Sequence, residues 1–136
     1  KVKIVRNTYI WFFTIIVGVM VGLFIKDTLI DLILGDDYTS AKDFIGWIFI
    51  GMAFKGMYLM VTNYCFYAGK TAALASVSLI VGGLYLILLW ILVNQYGLTG
   101  ASIAFASASF LRFCLVWMLA GKFVHMPWLS IWGRQK

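Results

Sequence analysis

Four long apolar stretches, separated by short polar connections, dominate the sequence. They run from about Thr8 to Ile25, Phe44 to Ala68, Thr71 to Val93 and Gly100 to Ala120. Each is close to the roughly 20 residues that cross a hydrocarbon core about 30 Å thick. Lipid offers the backbone no hydrogen-bond partners, so a spanning segment of this length is typically a helix. The pattern predicts an all-α, polytopic membrane protein with about four transmembrane helices, at residues 8–25, 44–68, 71–93 and 100–120.

The connections between these stretches carry the chemistry of helix ends. Residues 40–43 (SAKD) match a capping box at the start of the second helix. Residues 69–71 (GKT) and 97–100 (GLTG) each combine a glycine stop with a hydroxyl start, which predicts two tight hairpins. In the longer first connection, residues 28–34 either extend the first helix or form a separate interfacial turn.

Composition supports the membrane class and excludes several functions. Hydrophobic residues make up 63% of the chain and charged residues 12%, against about 45–50% and about 25% in soluble domains. The net charge is +6, but the cations cluster at helix ends, which argues against nucleic-acid binding. Cys65 and Cys114 lie in apolar runs and His125 is the single histidine, so we predict no disulfide framework, metal site or cofactor.

The distribution of charge predicts the orientation in the membrane. One side of the four crossings collects seven cations: Lys1, Lys3, Arg6, Lys70, Lys122, Arg134 and Lys136. The other side holds all five aspartates together with Lys26 and Lys42. Because cytoplasmic loops are enriched in lysine and arginine, both termini are expected in the cytoplasm. The chain begins at Lys1 rather than at methionine, and we expect it to be a fragment of a longer protein.

Two cations in the middle of apolar segments are the strongest candidates for function. Lys55 and Arg112 lie near the bilayer midplane, where a charge costs about 2.5–3.5 kcal/mol on insertion scales, and no segment contains an acidic partner. Helical spacing groups each cation with neighbours on one face: Gly51, Lys55, Tyr58 and Thr62 on the second helix, and Ala101, Ala104, Ala108 and Arg112 on the fourth. We predict that Lys55, Arg112, Tyr58 and Thr62 bind an anionic substrate in a polar interior. The alternative is that the cations bond to backbone carbonyls, or to acids on helices outside this chain.

Three short motifs carry a resemblance to a known family. Residues 34–41 (LGDDYTSA) look like a G-x-x-Y-x-x-A external connection, residues 68–71 (AGKT) resemble a cytoplasmic hairpin, and residues 96–104 (YGLTGASIA) are similar to the entry of a late helix. In this order and spacing they resemble the O-antigen and exopolysaccharide repeat-unit flippases of the multidrug/oligosaccharidyl-lipid/polysaccharide exporter superfamily. The resemblance covers essentially the whole chain. The chain departs from it at Tyr85, where many members have asparagine, and at residues 93–94 (VN), where Ile-Pro is common.

This resemblance implies both a place in a larger protein and a function. The chain would be the last four helices of the C-terminal lobe of a bacterial inner-membrane transporter with 12 or more helices, packed against its remaining N-terminal helices and membrane lipid. Such proteins move a polyprenyl-diphosphate-linked oligosaccharide across the membrane by alternating access, without enzymatic activity. Lys55 and Arg112 would then meet the anionic head group.

Other functional classes stay open at this point. A drug/cation antiporter of the same superfamily requires membrane-embedded carboxylates. A membrane-embedded glycosyl- or acyltransferase requires an aspartate or histidine near the interface. A self-contained four-helix efflux protein and a purely structural membrane subunit are the remaining alternatives.

Overall fold

The computed structural model describes residues 2–34 and 39–123, and every element in these ranges is a helix. Helix α1 spans Val2–Leu34, α2 spans Thr39–Tyr67 and α3 spans Thr71–Phe123. All three are long and apolar enough to cross a membrane, which agrees with the predicted class. Helix α1 extends well beyond both ends of the predicted segment 8–25, so residues 28–34 are an extension of the first helix. The predicted segments 71–93 and 100–120 both lie within α3.

Helix α3 is interrupted at Gly97, where the sequence predicts a hairpin. Gly97 has φ 59° and ψ −132°, a conformation that a side chain makes costly and that glycine adopts freely. Three residues later, a Cβ on Gly100 would lie 1.9 Å from the carbonyl oxygen of Leu92. Residues eight apart in a continuous helix are separated by about 12 Å. The backbone therefore reverses here, and both glycines are required for the reversal.

The two ends of α3 meet as a consequence of this turn. Leu74 and Val116 belong to one buried apolar cluster. The ammonium of Lys70, just before α3, lies 5.7 Å from the ring centroid of Phe123, the last residue of α3. Helix α3 thus consists of two arms, residues 71–96 and residues 98–123, that run in opposite directions.

The connection between α2 and α3 is a tight turn built on a glycine. Gly69 has φ +68°, and the amides of Gly69 and Lys70 donate to the carbonyls of Phe66 and Cys65 at 3.0 and 3.1 Å. This pair of hydrogen bonds is the Schellman motif that commonly ends a helix. The carbonyl of Lys70 accepts the amide of Leu74, so Lys70 is the cap of α3. The predicted glycine stop is confirmed, whereas the predicted hydroxyl start at position 71 is wrong. The predicted cap at residues 40–43 depends on side chains at 39–41, which lie outside the described part.

The packing of the helices has a consistent register. Gly22 of α1 faces Phe49 of α2, and Gly56 of α2 faces Ile15 of α1, so α1 and α2 are antiparallel. Gly51 of α2 is packed directly on the second arm of α3, where an added Cβ would lie 2.5 Å from the ring of Phe105. A cluster of aromatic and aliphatic side chains joins all three helices; its buried members include Phe12, Met57, Val61, Tyr64, Phe113 and Val116.

Apart from Lys55 and Arg112, the described charged side chains lie at the two ends of this bundle, as the sequence predicts. A hydrogen bond between the hydroxyls of Thr8 and Tyr64 brings the start of α1 to the end of α2. That basic end carries four exposed cations: Lys3, Arg6, Lys70 and Lys122. At the opposite end, Lys26 pairs with Asp27 at 2.7 Å, and Lys42 pairs with Asp31 at 2.6 Å. Described carboxylates occur only at this second end.

Candidate site around Arg112 and Tyr58

Arg112 is the more buried of the two cations that lie in the middle of the described helices. It stands on the second arm of α3, 15 residues after Gly97 and 11 residues before the end of the helix, or about 16 Å from that end at 1.5 Å per residue. Its side chain is half-buried. The guanidinium carbon lies 5.8 Å from the ring centroid of Tyr58 on α2, within the range of a cation–π contact.

The parallel register of α2 and the second arm of α3 brings these two side chains together. One helical turn before Tyr58, the ring of Phe54 packs on Phe110 with centroids 4.9 Å apart, and on Phe113 at 6.1 Å. One further turn back, Gly51 allows the two backbones to approach. Because residue numbers rise together along both helices, the next contact pairs Tyr58 with Arg112.

Nε of Arg112 is a buried atom with no hydrogen-bond partner among the described residues. A buried donor without a partner costs about 1–3 kcal/mol, and more for a charged group. The cost is notable because native structures pair nearly all such atoms. Arg112 therefore lacks the compensation that a buried charged donor usually has, which makes it a candidate site residue.

Thr62 belongs to the same site but uses its hydroxyl within α2. It is buried, and its Oγ1 donates to the backbone carbonyl of Tyr58 at 2.8 Å. This back-bond occupies the hydroxyl hydrogen of Thr62. Direct contact between Thr62 and a substrate stays a prediction.

Lys55 has a different environment from the other residues on its predicted face of α2. Gly51 and Thr62 are buried and Tyr58 is half-buried, but Lys55 is exposed. Lys55 stands at the edge of the outward face of α2, next to exposed Met52 and Leu59. The described helices leave Lys55 uncovered, and its place in a polar interior stays a prediction.

Neither cation has an acidic partner in the part of the chain that the structure describes. The ion pairs there involve Lys26 and Lys42, and neither Lys55 nor Arg112 makes a further ion pair. Asp43, on the same helix as Tyr58, precedes it by 15 residues, which is about 22 Å along the axis. The described ranges also contain no group of histidine, cysteine or acidic residues able to hold a metal ion.

The fourth predicted segment packs as its small residues suggest. Ala104 and Ala108 are buried, and Ala101 is half-buried. The described helices therefore cover this face of the second arm of α3. The small-residue face thus leads along the helix to Arg112, as predicted.

An apolar groove near Gly97 was not anticipated from the sequence. It has a volume of about 310 Å³ and lies between α2 and both arms of α3. Its lining includes Met52, Tyr85 and Phe105. Among its lining residues, Tyr85 was singled out from the sequence as a position where the chain departs from the flippase pattern. That departure alone does not predict a groove.

No family model, no curated protein and no solved structure matches this chain. The assignment of a family therefore depends on the three motifs described above.

Proposed function

We propose that this chain forms part of a bacterial inner-membrane flippase for polyprenyl-diphosphate-linked oligosaccharides. The observation that carries the proposal is the state of Arg112. It is a permanent cation in the middle of an apolar helix, with a buried unpaired Nε and an aromatic ring beside it instead of a carboxylate. An anion that binds at the site and leaves again would supply the negative charge that the described residues do not provide beside Arg112.

The proposal includes four membrane crossings, formed by α1, α2 and the two arms of α3. Lys3, Arg6, Lys70 and Lys122 then lie on one side of the membrane, and by the positive-inside rule that side is the cytoplasm. The residues preceding α1 in the full transporter would supply the facing lobe. Lys55, which this chain leaves uncovered, would point toward that lobe.

Charge and geometry explain how the site acts on a diphosphate head group. Removal of water strengthens the attraction between the guanidinium and the diphosphate, and the planar guanidinium can donate two parallel hydrogen bonds to phosphate oxygens. Because no described carboxylate competes for Arg112, the head group can bind without first displacing a fixed ion pair. Alternating access of two lobes then moves the head group across while the lipid tail stays in the bilayer, and no bond is broken.

The alternatives fit the described residues less well. A cation antiporter requires a carboxylate at mid-depth, but the described carboxylates Asp27, Asp31 and Asp43 all lie at one end of the bundle. An embedded glycosyl- or acyltransferase working on a cytoplasmic donor requires acidic or histidine side chains at the basic end, where the described helices carry cations.

Export of surface polysaccharide by cells carrying variants of the full-length protein tests the proposal. We expect Arg112→Ala to lower export about tenfold or more, because a hydrogen bond to a charged group contributes about 1.5–3 kcal/mol. Lys55→Ala should also lower export, and Arg112→Lys should retain part of it, since the charge stays but the two-pronged geometry is lost.

Lys122→Ala is the matched control, because it removes a cation from the exposed basic end and leaves the middle of the helices unchanged. Membrane levels of each variant are measured by immunoblot. Normal export by both Arg112→Ala and Lys55→Ala, at normal membrane levels, would refute the proposed function.

A further inference from the structure

We propose that Tyr58 is a positioning residue, whose ring holds the guanidinium of Arg112 so that its terminal nitrogens remain free for an anion. The identity of that anion as a diphosphate rests on the proposed function, whereas the contact between ring and cation does not. The sequence suggested a different role, in which Tyr58 binds the substrate directly.

The first support is the kind of partner that Arg112 has. A cation in an apolar setting needs some compensation, and a carboxylate would provide the strongest. In the described helices Arg112 has instead the face of Tyr58, 5.8 Å from the ring centroid. A ring attracts the cation through its quadrupole without neutralising the charge and without accepting from its terminal N–H groups.

The second support is the state of the individual nitrogens. Nε is the guanidinium nitrogen of Arg112 that is buried without a partner. Nη1 and Nη2 are not among the described buried atoms that lack a partner, and these two nitrogens form the fork that matches phosphate oxygens.

The third support is the rigidity with which Tyr58 itself is held. Its side chain packs against the buried cluster that includes Met57 and Val61. The contact of Phe54 with Phe110, one turn away, fixes the register of the two helices. A ring fixed in this way restricts the rotamers of a long arginine side chain and lowers the entropy lost on binding.

Two substitutions separate the ring from the hydroxyl. Tyr58→Phe keeps the ring, and Tyr58→Leu removes it while retaining an apolar side chain. The full-length protein is labelled with ¹⁵N-arginine, and the Nε–H resonance of Arg112 is recorded, because a nearby ring shifts it. We expect the resonance to stay in place in Tyr58→Phe and to move in Tyr58→Leu, with the resonance of exposed Arg6 as the internal reference.

The same variants are titrated with polyprenyl diphosphate in detergent micelles. We expect Tyr58→Phe to bind within about twofold of the wild type, and Tyr58→Leu to bind between about threefold and thirtyfold more weakly, the range that cation–π energies allow. If Tyr58 acts through Arg112, then Tyr58→Leu should change binding less than about twofold in an Arg112→Ala background.

Any of three results would overturn the inference. The first is an Arg112 Nε–H resonance that does not move in Tyr58→Leu, and the second is a loss of binding in Tyr58→Phe while that resonance stays in place. The third is an equal loss of polyprenyl diphosphate binding on Tyr58→Leu in the wild-type and Arg112→Ala backgrounds. The second result would support the role predicted from the sequence, in which Tyr58 contacts the substrate directly. The expected resonance changes in the variants, together with a wild type that does not bind polyprenyl diphosphate, would be a different result. It would support the contact between Tyr58 and Arg112 and refute the proposed function.

Discussion

The reversal of α3 at Gly97 decides whether the second half of the chain crosses a membrane twice, and one alanine substitution tests it. At Gly100, an added Cβ would lie 1.9 Å from the carbonyl oxygen of Leu92, 2.5 Å from its carbonyl carbon and 3.1 Å from the amide nitrogen of Val93. All three are backbone atoms, so no side chain can rotate to make room.

The size of the effect follows from these distances. Ordinary contact with a Cβ begins at 3.4 Å, so the two arms would have to separate by about 1.5 Å. Overpacking of a well-packed interior costs about 1–3 kcal/mol, and occasionally more; separation also weakens neighbouring contacts, since dispersion falls steeply with distance. We expect Gly100→Ala to lower the free energy of unfolding by about 3 kcal/mol.

Gly83→Ala is the matched control. Gly83 lies in the first arm of the same helix, and an added Cβ there would meet nothing within 4 Å. Alanine is favoured over glycine in a helix interior by up to about 1 kcal/mol, so this variant should be at least as stable as the wild type.

Unfolding can be followed through a residue that the protein already contains. The Cys65 thiol is 2% exposed in the folded protein, and its reaction with a thiol-specific fluorophore during a titration with sodium dodecyl sulfate reports the opening of the bundle. Cys114 is replaced by alanine in all variants so that a single thiol is read. Equal stability of Gly100→Ala and Gly83→Ala, within about 0.5 kcal/mol, would show that residues 92 and 100 do not approach each other, and the two-arm description of α3 would be wrong.

Two further predictions concern the contact between α1 and α2 and the orientation of the bundle. Thr8→Val and Tyr64→Phe should each lower the free energy of unfolding by about 1 kcal/mol. Because the two hydroxyls are bonded to each other, the double variant should lose less than the sum of the two single effects. Strictly additive effects in the same unfolding assay would contradict this. In a background without native cysteines, Lys70→Cys should react with a membrane-impermeant thiol reagent only from the cytoplasmic side, and Asp43→Cys only from outside. If both introduced cysteines reacted from the same side of the membrane, α2 could not cross the membrane once between them.

The helices were predictable from the sequence because lipid leaves few choices. A run of about 20 apolar residues has to be a helix in a bilayer, and glycines at 69 and 97 mark the places where the chain turns. The end of α1 was harder to predict, since Lys26, Asp27 and Asp31 interrupt the apolar pattern. The structure continues the helix through them, and the ion pairs Lys26–Asp27 and Lys42–Asp31 place the charges at one end of the bundle.

The arrangement of the candidate site was only partly predictable. Depth alone identified Arg112 and Lys55, because a charge in the middle of an apolar run is conspicuous. The pairing of Arg112 with Tyr58 required the parallel register of α2 and the second arm of α3, which depends on Gly51 and on the ring contact of Phe54 with Phe110. Helix α2 is apolar on nearly every side, so spacing could not show which of its faces packs against the other described helices, and Lys55 lies on a face that they leave exposed.

The exposure of Lys55 has a physical consequence for the proposed transporter. A lysine facing hydrocarbon at mid-depth costs about 2.5–3.5 kcal/mol, and Lys55 is too far from either end of α2 to reach the interface readily: Tyr67 lies 12 residues away, or about 18 Å along the axis. Proteins relieve this cost by turning such a side chain toward a partner helix or toward water. Arg112 is compensated within the chain by the ring of Tyr58, whereas Lys55 has no compensation among the described residues. The proposed function assigns that role to the facing lobe and to the head group between the lobes, which makes Lys55 the residue that joins this bundle to the rest of the transporter.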